Sequence, residues 1–114
     1  LSVCNTIPAM AIDIEARRPV LANVVGGLSG PAIHPVAVKL VWEAASAVNI
    51  PIIGMGGIAE PEDAIELLAA GATAVAVGTA NFIDPTTPLR VLAGIYEYMH
   101  RHGFARVADI AIPH

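Results

Sequence analysis

The chain has 114 residues, enough for one small domain, and a net charge of −4 with only six basic residues, so it lacks the basic patch that nucleic-acid binding requires. It is 55% hydrophobic and 14% charged, with a mean hydropathy of +0.66, yet Gly, Pro or a charge breaks every apolar run before it could cross a bilayer; an α/β protein with elements buried on several sides accounts for the excess. One cysteine excludes an internal disulfide, and no stretch resembles a signal peptide, which points to the cytoplasm.

In chain order, LSVC (1–4) reads as a buried strand ending at Asn5-Thr6. With no initiator Met and no strand before it, the chain is expected to be the C-terminal part of something longer, or to be processed, or completed by another chain. Residues 7–30 read as an extended loop, within which AMAID and RPVLA, separated by IEAR, are expected as a short hairpin. Residues 31–49 read as a helix. Pro31 and Pro35 suit its first turns, and Ile33, Val36, Leu40, Val41, Ala44 and Val48 recur at helical spacing. IPII (50–53) is a short apolar strand. EPEDAIELLAAG (60–71) is an amphipathic helix with Glu60, Glu62 and Asp63 in its first turn and Gly71 at its end. ATAVAV (72–77) is a buried strand ending at Gly78-Thr79, and ANFIDP is a short turn. Residues 88–103 form a long helix closed by Gly103, and FARVADIAIPH is a tail with a last short helix.

Strands alternating with helices imply βαβ units and a parallel sheet. IPIIGMGG and TAVAVGTA share a strand-then-glycine pattern, so their two turns are expected side by side at one sheet edge. Phosphate sites above the last two strands are a habit of (β/α)₈ barrels.

GMGGIAEPEDA (54–64) places glycines between a strand and a helix. Bare backbone N–H groups and the positive end of a helix dipole suggest an anion site, most often for phosphate. GMGGIA also fits the dinucleotide pattern G-x-G-x-x-G/A, but the next strand ends in AVGTA, with no acid until Asp84 to bind a ribose hydroxyl. GGLSGP (26–31) resembles a serine nucleophile elbow, but Pro31 stands where G-x-S-x-G needs glycine. Gly26, Gly27 and Gly30 read better as a third wall of the anion site.

His34, His100, His102 and His114 show no i, i+4 metal pair, and no cysteine cluster supports them, so no metal site is expected and surface positions are. Glu62 and Glu66 read as a solvated helix face. Cys4 reads as a small buried hydrophobe rather than a nucleophile, and Trp42, Tyr96 and Tyr98 as packing. Asn5 and Thr6 are uncharged polar groups at a buried strand's end. They serve either as a loop cap or as readers of an amide-like heterocycle edge.

NTIPAMAIDIEARRPVLANVVGGLSGPAIHPVA, followed by IPIIGMGGI and AGATAVAVGTANF, closely resembles the class 1B dihydroorotate dehydrogenases over residues 1 to about 103. The resemblance implies an FMN-binding (β/α)₈ TIM barrel of which residues 1–114 are the C-terminal part, with the last three strands or so. It implies oxidation of dihydroorotate to orotate in pyrimidine biosynthesis. FMN would be bound by Cys4, Gly30, Gly56, Gly57, Gly78 and Thr79, with the phosphate at the two glycine turns. Asn5 and Thr6 would hold the substrate ring. The family's catalytic base, a loop Cys, is expected upstream, so no catalytic residue is assigned to this chain and it is expected to be inactive alone. A homodimer is implied, as is a partner carrying FAD and an iron–sulfur cluster that passes electrons to NAD. Left open beside this are another phosphate-binding barrel, an isomerase or synthase, and a non-catalytic half-barrel.

Overall fold

The computed structural model describes residues 1–114. In chain order it contains β1 (Ser2–Val3), β2 (Ile7–Ala9), β3 (Ile12–Asp13), β4 (Arg18–Pro19), β5 (Gly26–Leu28), α1 (His34–Ala47), β6 (Ile53–Met55), α2 (Pro61–Ala69), β7 (Ala74–Ala76), α3 (Ala80–Ile83) and α4 (Thr87–His102). Tight 3₁₀ turns occupy Pro31–Ile33 and Val107–Ile110.

A three-stranded parallel sheet in the order β1-β6-β7 organises the molecule. Val3 pairs with Gly54, and Met55 pairs with Ala76. Cys4 N donates to Met55 O at 2.9 Å, which carries the pairing one residue further. Parallel strands in this register deliver Cys4-Asn5, Gly56-Gly57 and Val77-Gly78 to the same edge, as the strand–helix alternation predicts.

The middle strand lies later than expected. Regular pairing starts at Ile53 rather than Ile50. Pro51 has no N–H to give; its carbonyl accepts from the Leu1 amino group at 2.8 Å, and Ile52 N donates to the Thr73 hydroxyl at 3.3 Å. Gly54 therefore belongs to the strand and not to the turn. A Cβ there would stand 3.1 Å from Ala72 Cβ and 3.3 Å from Leu67 Cβ, so glycine lets α2 pack close to the sheet.

The core lies between the sheet and its helices. α1 buries Ala37 and Val41, α2 buries Ala64, Leu67 and Leu68, and α4 buries Val91 and Ile95. Full burial of a side chain such as Leu67 contributes roughly 1.5–3 kcal/mol. The inward stripe of α1 differs from the expected one: Val36 is exposed, and His34 shares the buried face with Ala37 and Val41. Pro61 packs directly over Gly94, where any side chain would collide with it, and this holds α2 against α4. α4 ends at Gly103 in the left-handed conformation, φ 68°, as a helix stop requires.

Residues 7–28 depart from a plain loop. The expected short hairpin is present as β3–β4, with Asp13 Oδ1 accepting from the N–H groups of Glu15 and Ala16 at its turn. A second antiparallel pair, β2–β5, matches Ile7 to Leu28 and Ala9 to Gly26. No residue before Ile33 is buried. One aromatic expectation is corrected: Tyr96 is exposed, whereas Trp42, at the edge of the surface, packs by stacking on His114 with ring centroids 3.8 Å apart. No helix is long and apolar enough to cross a membrane.

Candidate functional site

Four segments meet around a cavity of about 450 Å³ at the C-terminal edge of the sheet. Cys4, Asn5 and Thr6 leave β1, Gly56 and Gly57 leave β6, and Gly78 and Thr79 leave β7. Ser29 and Gly30 arrive from β5 just before α1. The eight residues that the resemblance implies as ligand contacts line this one cavity, but Gly26 and Gly27, read from the sequence as part of its third wall, do not. They are paired residues of β5, and Gly27 makes room for the Thr6 side chain. Only Gly30 of that trio reaches the cavity, so the third wall is narrower than expected.

The first glycine turn is built so that only glycine fits it. Gly56 has φ +131° and Gly57 φ +70°. A Cβ on Gly56 would lie 2.7 Å from Ala37 Cβ, and one on Gly57 would lie 2.7 Å from Gly30 O and 2.9 Å from His34 N. The turn is therefore wedged against the start of α1. The second turn is open: a Cβ on Gly78 would meet nothing within 4 Å. Thr79 Oγ1 donates to Ser29 Oγ at 2.8 Å, which ties this turn to the segment before α1.

Several residues that line the cavity have unpartnered backbone N–H groups. Those of Gly56, Gly57, Ile58, Gly78 and Thr79 have no acceptor within the protein. Clustered free N–H groups in a turn form an anion-binding concavity. The start of α2 does not share in this, contrary to the expectation from its position. No residue of α2 lines the cavity, and Asp63 Oδ2, accepting from Ala59 N and Glu60 N at 2.9 Å, puts a carboxylate rather than an anion at the helix start. The anion donors come from the glycine turns alone.

His34 overturns its predicted surface position. It is 7% exposed, with Nδ1 2.9 Å from Gly56 O and Nε2 2.9 Å from Glu66 Oε2. Asp63 Oδ1 stands 3.8 Å from the same nitrogen. Glu66 is accordingly not merely a solvated residue, whereas Glu62 is. The i, i+3, i+7 spacing of His34, Ala37 and Val41 was the available sign that His34 faces inward.

On the β1 side, Asn5 Oδ1 accepts from Thr6 N at 2.7 Å. The Asn5 amide NH₂ makes no bond within the protein and borders the cavity. The Cys4 thiol is free and half-buried. Behind the site, Arg90 joins the segments that follow the two turns. Its Nη1 lies 3.0 Å from Glu60 Oε2 and its Nε 3.3 Å from Asp84 Oδ2. The bond to Glu60 raises the guanidinium's pKa. The Thr86 hydroxyl, 2.6 Å from Asp84 Oδ1, and the Thr86 N–H hold the Asp84 carboxyl below the ordinary carboxylate range.

A family model described as dihydroorotate dehydrogenase matches residues 1–99. Two curated proteins, each named dihydroorotate dehydrogenase B (NAD(+)), catalytic subunit, are similar to this chain. The one from Phocaeicola vulgatus is 53% identical and the one from Alkaliphilus oremlandii 57%, each over 96% of this chain and 36% of its own length. The chain thus spans about a third of the length of these relatives. A crystal structure of DHODH from Eimeria tenella in complex with ferulenol superposes with a TM-score of 0.76 at 30% identity, over 96% of this chain and 29% of that one.

Proposed function

We propose a function from one premise: the chain belongs to the dihydroorotate dehydrogenase family. It forms the C-terminal strands of an FMN-binding (β/α)₈ barrel that oxidises dihydroorotate to orotate in cytoplasmic pyrimidine biosynthesis. The carrying observation is the set of free N–H groups from two adjacent glycine turns around one cavity. That donor set fits a phosphate. It is rich in N–H, holds no carboxylate, and has open space over Gly78 and Gly30 where a Cβ would meet nothing.

In this reading Gly56, Gly57, Gly78 and Thr79 bind the FMN phosphate, while Gly30 and Cys4 border the rest of the cofactor. When bound, FMN supplies the hydride-accepting ring. Asn5 and Thr6 orient the substrate: the free Asn5 amide donates to a ring carbonyl, and the Thr6 hydroxyl is in reach of the same edge. The substrate proton leaves to a base outside these residues, so the chain alone does not turn over. Electrons pass to NAD through a partner subunit carrying FAD and an iron–sulfur cluster, and the catalytic subunits pair as a homodimer.

The test is the absorbance of the protein purified in its intact form, with a titration by FMN of the flavin-depleted protein. Saturable binding of FMN that inorganic phosphate weakens is expected. A protein that ignores FMN but binds sugar phosphates would overturn the reading.

A further inference from the structure

We propose that His34 is a positioning residue that aims the first glycine turn at the anion. The inference rests on the phosphate reading above and concerns a side chain that lies outside the cavity lining.

A trans peptide is planar, with its C=O and N–H pointing in opposite directions. The peptide joining Gly56 to Gly57 presents its C=O to His34 Nδ1 at 2.9 Å, on the α1 side of the turn. Its N–H, that of Gly57, therefore points away from α1, and it has no acceptor within the protein. Glycine at both positions gives this peptide little intrinsic preference. Without a donor behind it, the unit is free to rotate and withdraw the N–H. His34 supplies that donor from a buried position in the first turn of α1.

The far side of the ring is held as well. Glu66 Oε2 lies 2.9 Å from Nε2, and Asp63 Oδ1 stands 3.8 Å from it. A carbonyl only accepts, so Nδ1 is the donor to Gly56 O, and the Glu66 contact at Nε2 holds the ring from its other side. α2 thus fixes the rotamer of the side chain that fixes the turn. The result is a chain of contacts from α2 through His34 to the Gly57 N–H.

FMN and riboflavin differ only in the phosphate, so their dissociation constants separate an effect on the turn from an effect on the fold. In the intact protein, H34F keeps a ring at the position but removes both ring nitrogens. It is expected to weaken FMN about fivefold, the worth of one hydrogen bond, and to leave riboflavin unchanged. H34N restores a donor near the Nδ1 position and is expected to recover most of the loss. Should H34F not fold, E66A frees the ring at a half-exposed position and is expected to lower the FMN-to-riboflavin preference in the same direction. A preference unchanged in the folded variant overturns the proposal, as does equal weakening of both ligands. If the unsubstituted protein shows no preference for FMN over riboflavin, the phosphate reading itself fails, and this inference fails with it.

Discussion

The two glycine turns at the cavity sit on neighbouring parallel strands and present the same chemistry, yet they are built differently. The turn at Gly56-Gly57 has positive φ at both residues and no room for a Cβ at either, with α1 and the Gly30 carbonyl against it. The turn at Gly78-Thr79 has ordinary φ at Gly78, no atoms over its missing Cβ, and one hydroxyl bond to Ser29. In the first turn glycine serves the fold and, in the proposed function, the ligand as well. In the second it leaves space at the cavity. Glycine in a motif therefore carries two separable meanings, and substitution can separate them.

The largest expected effect is in the braced turn. G57A forces a Cβ to 2.7 Å from Gly30 O and 2.8 Å from His34 Cβ, at a φ of +70°. Strain and overpacking together cost about 2–4 kcal/mol, read as a lower midpoint in chemical denaturation of the intact protein. A midpoint equal to that of the unsubstituted protein would remove the distinction between the turns. G78A should do the reverse. Its methyl meets no protein atom, so stability should move by less than about 1 kcal/mol. FMN affinity should fall about tenfold, the effect of losing roughly 1.4 kcal/mol of binding. If instead G78A destabilises the fold and leaves FMN binding alone, Gly78 serves the fold and not the ligand.

Much of this arrangement is legible in the sequence. The βαβ order follows from apolar runs alternating with helical spacing, and the shared edge follows from two strands that each end in glycine. Seven of the eight ligand contacts that the resemblance implies follow strands of the parallel sheet, which bring their C-terminal ends together whatever their exact limits; Gly30 arrives from β5, and Gly26 and Gly27 do not reach the cavity. The β2–β5 pair is less legible. Ile7-Pro8-Ala9 contains a proline and Gly26-Gly27-Leu28 two glycines, residue types depleted from strands. The role of His34 is hidden for another reason: its acceptors lie 22 and 32 residues away, and only folding reveals them. The capping of α2 by Asp63 is local, but an acidic first turn alone does not say whether the helix start is open to an anion or already filled.

The smallest effect concerns the ionic link that joins the segments beyond the two turns. Asp84 accepts from the Thr86 hydroxyl and N–H and pairs with Arg90, which also holds Glu60. Its folded-state pKa is depressed, first by the Thr86 hydroxyl bond. A carboxylate depressed on folding contributes stability that is present above its unfolded pKa of about 3.9. That contribution fades as pH falls below this value and through the folded pKa. The guanidinium of Arg90 stays charged throughout, so Asp84 is the partner of that pair that is neutralised. D84N removes the charge while keeping an oxygen that can accept from Thr86. It should be slightly less stable than the unsubstituted protein near neutral pH, because the site is solvent-exposed and screened. The difference should be steady from about pH 7 to pH 5 and close below about pH 4. Paired thermal denaturation curves across that range measure it. A difference that persists unchanged into acid would mean that Asp84 contributes through geometry alone, and that no charge ties the open turn to the braced one.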